Sequence, residues 1–315
     1  MSPLVNISIA LRRQVNDYLA LPRFIQTMPI SNQPFVAESA DAGIPWADYT
    51  AAKDPSDALK ALQDGLSVGL IATPRNVLET CVRGEEIAVV AERNRSDAFD
   101  FLPVTEQDDD RIIGLIEIAP FLQGAEARGN VEEKMLRLSE ENIIGADASI
   151  LAFIRDADRQ RCRLVISGPQ ISGLVSLSDL QQLPVRAALF GMVTHLEVTM
   201  AKCIRRKFGA DEEWAESLPP GREAKLLERI SQAKQQDSFV DALLLTEFSD
   251  KVTIIKRIKG FPWARRTFES NLAQIQSLRD GLAHANDYAA TRQAAIRVCE
   301  TVRLMDVWIE SLTAW

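Results

Sequence analysis

The sequence predicts an α+β protein in two parts, an α/β region followed by an all-α region. Three observations carry that expectation. The chain has 315 residues, more than one ordinary domain needs and enough for two. Between residues 45 and 185, short helical patterns alternate with short β-rich runs. From Pro184 onward, apolar residues recur every three or four positions, nearly to Trp315.

Residues 1–44 read as an N-terminal extension. Asn6 to Leu21 suits a short amphipathic helix, and Pro22, Pro29 and Pro34 then break regularity. In the α/β region, residues 45–185, Asp54-Pro55 is a start signal for a helix over Ser56 to Gln63. Ile87 to Val90, Ile112 to Ile116, Leu164 to Ile166 and Ile171 to Val175 read as buried strands. The last two are joined by the turn Ser167-Gly168-Pro169-Gln170. A weak internal repeat spans the region: strand, turn, then a strand ending in Gly and two aliphatics. It occurs at Phe101 to Ile116 and again at Arg163 to Val175, about sixty residues apart. In the all-α region, residues 186–315, stripes such as Leu189, Val193, Leu196, Met200, Cys203 and Val298, Val302, Met305, Ile309, Leu312 define four or five helices of a bundle. Leu218 to Gly221 and Gly260-Phe261-Pro262 mark helix boundaries.

Charge and composition bound the function. Hydrophobic residues make up 46% and charged residues 25%, an ordinary globular balance. The net charge of −8 is uneven: residues 1–189 hold 18 Lys and Arg against 27 Asp and Glu, residues 190–315 hold 18 against 17. The second part contains a basic cluster, Lys251, Lys256, Arg257, Lys259, Arg265 and Arg266. It could track an RNA backbone or form a solvated helix face. Cys81, Cys162, Cys203 and Cys299 are too scattered for a metal knuckle or a redox pair, and read as buried thiols in a reducing compartment. Met1 to Leu11 lacks the cationic head of a signal peptide, and no apolar run approaches a membrane span. A cytoplasmic chain without a membrane partner is expected. Walker, Rossmann and GxSxG patterns are absent, and two isolated histidines with scattered cysteines leave no metal site.

The second copy of the repeat continues as Gly173-Leu174-Val175-Ser176-Leu177-Ser178-Asp179, from a strand end into a helix start. Hydroxyls and free backbone N–H groups there suit a phosphate, and an Asp suits ribose hydroxyls. This run resembles the nucleotide signature of CBS motifs, and residues 45–185 resemble a CBS pair. The resemblance implies that Ser176 and Asp179 help hold an adenine nucleotide (AMP, ADP or ATP) as a regulatory ligand. The plainer alternative is that Ser178 or Asp179 caps the helix without any ligand. The first copy departs from the signature: Glu117 stands where Ser or Thr belongs and Pro120 where Asp belongs. A carboxylate repels a phosphate, so one competent site per chain is expected.

Late in the bundle stands Arg279-Asp280-Gly281-Leu282-Ala283-His284. At ~100° per residue, Arg279 falls inside the stripe of Phe268, Leu272, Ile275 and Leu282. A guanidinium there either pairs with a carboxylate or faces an interface cleft. His284 falls about 140° away, so one straight helix does not aim both at one point. The run and its helical setting resemble the HEPN ribonucleases. That resemblance implies a metal-independent endoribonuclease working as a homodimer, with no catalytic cofactor. The RNA's own 2′-OH would attack the adjacent phosphate and leave a 2′,3′-cyclic phosphate. His284 would be general acid or base, Arg279 would bind the phosphate, and Asp280 would orient the imidazole. The plainer alternatives are a C-terminal helix cap for His284, an ion pair for Arg279 and a solvated Asp280. His195 reads as structural, although it and Glu197 could share that cleft. Together the two resemblances imply a nucleotide-regulated endoribonuclease, with a housekeeping, toxin-like or defence setting left open. The alternative is a non-catalytic nucleotide-sensing regulator whose bundle serves dimerisation or partner binding.

Overall fold

The computed structural model describes residues 55–208, 212–235, 241–258, 265–284 and 287–315. The expected helix Asn6–Leu21, the extension 1–44, Lys259 and the boundary at Gly260–Pro262 lie outside the described residues, as do the side chains of Arg265 and Arg266.

In chain order the elements are α1 (Pro55–Gly65), β1 (Thr73–Pro74), β2 (Cys81–Val82), α2 (Ile87–Arg93), β3 (Phe101–Thr105) and β4 (Ile112–Glu117). Then come α3 (Ala119–Leu122), α4 (Val131–Lys134), β5 (Leu136–Arg137), β6 (Ile143–Gly145), α5 (Ile150–Ile154), β7 (Cys162–Ser167) and β8 (Gln170–Ser176). Five further helices follow: α6 (Leu183–Phe208), α7 (Pro220–Gln235), α8 (Phe248–Arg257), α9 (Arg265–Ala283) and α10 (Arg292–Ala314). The expected helix at 56–63 and three of the four expected strands are present. The fourth, Ile87 to Val90, is instead the first turn of α2. Ile87, Val90 and Ala91 are buried while Val89 is 54% exposed, the spacing of a helix face. Four apolar residues in a row do not distinguish the two periods.

The chain forms two compact units. The first, Glu79–Leu138, holds a sheet of order β2-β3-β4-β5. The second takes residues 55–78 and Ser139–Trp315, with a sheet of order β6-β7-β8-β1 and the five long helices. The two sheets follow one plan: a parallel pair, then two antiparallel pairs. Their hairpins match closely. Val104 stands opposite Gly114 and Val165 opposite Gly173, and in each the register shifts directly after that valine. The glycines have a common cause. A Cβ on Gly114 would run into the backbone oxygen of Leu136 in β5, and one on Gly173 into that of Thr73 in β1. Close approach of the third strand therefore dictates the Gly of the repeat.

The first unit has its own small core, built on Cys81, Ile87, Val90, Leu102, Val104, Ile116, Ile118 and Val131. In the second unit a single core runs from Val68 and Phe153 through Val175 and Leu180 into α6 and on to Leu312. Helix α6 is its axis, burying residues from Val185 to Ile204. It is long and apolar enough to cross a membrane, which corrects the expectation that no run reaches that length. Most of its apolar residues are buried in this core, while Leu183 and Phe190 are exposed. Phe268 of α9 stacks on Trp308 of α10 at 4.6 Å and closes the far side.

Candidate functional site

Strand β8 delivers Ser176 to its C-terminal end, where a five-residue 3-10 helix, Leu177–Gln181, begins. Ser176 and Asp179 form a capping box: the Ser176 N–H donates to Asp179 Oδ2 at 2.7 Å, and the Ser176 hydroxyl lies 3.1 Å from the same oxygen. Gln182 Nε2 donates to Oδ1 at 2.8 Å, and also to the backbone oxygen of Ile71. Burial pushes the Asp179 carboxyl up to about 6, and the hydrogen bonds from Ser176 and Gln182 oppose that rise. Both carboxylate oxygens thus hold the junction together. A ribose hydroxyl would have to share Oδ1 with Gln182. Ser178 is exposed and its hydroxyl meets that of Ser176 at 2.7 Å.

In the first copy, β4 delivers Glu117, and Pro120 lies in the first turn of α3. The Ile118 N–H donates to the Asp100 backbone oxygen at 2.8 Å. The N-terminus of α3 has no side-chain cap.

The Arg279–His284 run occupies the last turns of α9. Arg279 is half-buried, and its Nε donates to Glu197 Oε1 of α6 at 3.0 Å. Its Nη1 is 3.5 Å from the exposed Asp280 carboxylate. A carboxylate partner, one of the two alternatives left open by the stripe, is present. His284 is exposed, and its N–H closes the last helical turn on the Asp280 backbone oxygen at 3.1 Å. Asp280 is joined through its side chain to Arg279, and through its backbone oxygen to His284. His195 and Glu197 do not share a face. Two residues apart on a helix they diverge by ~200°, and His195 is buried in the core while Glu197 reaches Arg279.

Lys251, counted in the basic cluster, is not on a solvated face. It is 4% exposed, and its ammonium donates to the Thr246 backbone oxygen at 2.8 Å. Burial lowers its pKa, while the charges of Glu197 and Asp250 pull it back up. Asp250 is held by a bidentate bond from Arg222 at 2.8 and 2.9 Å. Lys256 pairs with Glu269. The charges near Arg279 are therefore largely internal.

Several contacts that sequence reasoning missed join the second copy to the bundle. Arg155 of α5 grips Asp306 of α10 with both arms at 2.7 and 2.9 Å. Arg303 of α10 grips Asp158 at 2.8 and 2.7 Å and also reaches the Arg155 backbone oxygen. No local sequence signal marks partners about 150 residues apart. Among the described residues, no cluster of His, Cys, Asp and Glu could hold a metal ion. None of the four cysteines is in a disulfide, and all are buried.

No family model matches this chain, and no curated protein does. Solved structures of CBS domains do. A CBS domain of a bacterial CNNM/CorC family Mg2+ transporter, in complex with ATP, is similar at 16% identity and TM-score 0.34, over 42% of this chain and 94% of that one. A hemolysin-like protein containing a CBS domain from Oenococcus oeni is 16% identical over 40% of this chain and 95% of that one, TM-score 0.33. A CBS domain-containing protein of unknown function from Bacillus anthracis is 12% identical over 38% and 94%, TM-score 0.33.

Proposed function

We propose that this chain is an adenine-nucleotide-responsive protein whose helical bundle is the output of its second α/β copy. The observation that carries this reading is the uninterrupted core of the second unit. Only Leu180, Gln181 and Gln182 separate the segment Ser176–Asp179 from the start of α6 at Leu183, so a ligand at that junction acts on the bundle through rigid contacts.

The output we infer is RNA cleavage, without metal, at a site completed by two copies of the chain in the cytoplasm. Arg279, His284 and Asp280 are the residues assigned to it. In its support, His284 is exposed and Arg279 retains access while its Nε is fixed by Glu197. With Nε on Glu197 and Nη1 on Asp280, Nη2 is the nitrogen placed to meet a phosphate oxygen. The second reading, a non-catalytic regulator, is favoured by that same Glu197 bond, since a structural ion pair accounts for Arg279 equally well.

Two assays decide. Calorimetric titration of the full chain with AMP, ADP and ATP should give heat for at least one, and that heat should fall in Asp179→Ala. No heat with any of them would remove the nucleotide reading. Mixed RNA incubated in EDTA should be cut to 2′,3′-cyclic ends by the wild type and left whole by His284→Ala and Arg279→Ala. RNA left intact by the wild type with and without nucleotide would leave the regulator.

A further inference from the structure

We propose that Arg186 and Tyr288 are positioning residues that tie the end of α9, where His284 sits, to the Ser176–Gln181 junction. Five contacts line up between the two. The Tyr288 hydroxyl donates to the Leu180 backbone oxygen, at 2.5 Å. Gln181 Nε2 donates to the Ala289 backbone oxygen at 3.0 Å. Both span from the 3-10 helix to the segment that follows α9. Arg186, in the first turn of α6, lies over the Tyr288 ring with its guanidinium carbon 4.9 Å from the centroid. Its Nη1 donates to the backbone oxygens of Leu282 at 2.9 Å and Gly281 at 3.3 Å.

Those carbonyls are among the last of α9, which have no partner within the helix. A cation there also favours the negative end of the helix dipole. Arg186 is thus the C-terminal cap of α9, supplied by another helix. Gly281 fits beneath Tyr288, where a Cβ would come within 3.3 Å of the tyrosine Cβ. Burial pushes the Tyr288 hydroxyl up to about 12, so it stays a donor across the working pH range. Any movement of Leu180 or Gln181 therefore moves Tyr288, then Arg186, then the turn that holds His284. The junction and the α9 end form one hydrogen-bonded body.

The tie itself needs no ligand; its regulatory meaning rests on the nucleotide reading above. The test uses amide hydrogen exchange on the full chain. Ser176→Ala removes the cap hydroxyl and should speed exchange in Leu177–Gln182 by roughly two- to thirtyfold, the range given by loss of a serine cap. Exchange at Leu282 to His284 should speed with it. In a Gln181→Ala, Tyr288→Phe background, the added Ser176→Ala change should no longer reach α9. Arg186→Met should loosen the 282–284 amides, and Arg186→Lys should restore them in part, which a general loss of packing would not do. If Ser176→Ala loosens the 3-10 helix while α9 is unmoved, or if the effect passes undiminished through the Gln181→Ala, Tyr288→Phe background, the tie is wrong. An absence of nucleotide heat or RNA cleavage in the assays above would count against the function and leave the tie standing.

Discussion

The β3–β4 hairpin packs against a small core of its own, whereas the β7–β8 hairpin belongs to a core that continues through five helices to Leu312. The two hairpins share strand order, register shift and a glycine pressed by a third strand. They differ at their exits. One ends in Glu117 and a helix start with no side-chain cap; the other ends in a Ser176–Asp179 capping box that leads straight into α6. One scaffold thus recurs in both copies, while the Ser176–Asp179 capping box and the core shared with the helices belong to the second.

The largest effect that would break this contrast is at Trp308, 1% exposed and stacked on Phe268. Trp308→Ala should cost about 3–5 kcal/mol. The loss should appear in chemical denaturation followed by hydrogen exchange, in β7 and β8 as well as in the helices, and should spare β3 and β4. Loss of protection confined to the helices would divide the second unit in two.

Next in size are the paired glycines. Gly173→Ala and Gly114→Ala each force a strand apart and should cost about 1–3 kcal/mol. The first should lower the unfolding transition of the bundle; the second should lower only that of the Glu79–Leu138 unit. Equal effects of both on one transition would contradict the separation of cores.

The pH dependence sharpens the comparison within the second unit, because two of its carboxyls have opposite signs. The hydrogen bond from Arg303 holds the Asp158 carboxyl below its ordinary value. Its contribution is present above the unfolded pKa near 4 and is lost as pH falls through the lower folded value. Asp179, raised to about 6 by burial, contributes below pH ~4, and that contribution is lost as pH rises through about 6. Asp179→Asn should therefore flatten the stability profile between about pH 4 and 6, and Asp158→Asn should flatten it below pH ~4. Urea midpoints across that range check both.

The smallest effect concerns the thiols. Burial pushes Cys81 and Cys299 up to about 12, in one unit each. Neither should react with a disulfide reagent at pH 8 until its unit unfolds, so the order of reaction reports which unit opens first.

Much of this was legible in the sequence for physical reasons that can be named. The β7–β8 hairpin was, because Gly168 and Pro169 between β-rich runs leave few options for the backbone. The bundle was, because its stripes repeat over several turns. Helix α2 was not, since Ile87 to Val90 is too short to show its period. At the candidate sites, the stripe position of Arg279 pointed to a carboxylate or a cleft, but Glu197 lies 82 residues away and local spacing carries no trace of it. A helix cap was expected at this junction at Ser178 or Asp179, whereas the N-cap is Ser176, with Asp179 at the third helical position. The shared core, the Arg155–Asp306 and Arg303–Asp158 clamps and the Arg186 cap were not, because they exist only once the chain has folded.

The central claim, that the second copy and the bundle respond to a nucleotide as one body, is tested most directly by hydrogen exchange with and without ATP on the full chain. Added protection in residues 171–182 is expected together with a change in residues 279–289, and none in the β3–β4 hairpin. Protection confined to residues 171–182, with α9 unchanged, would contradict it.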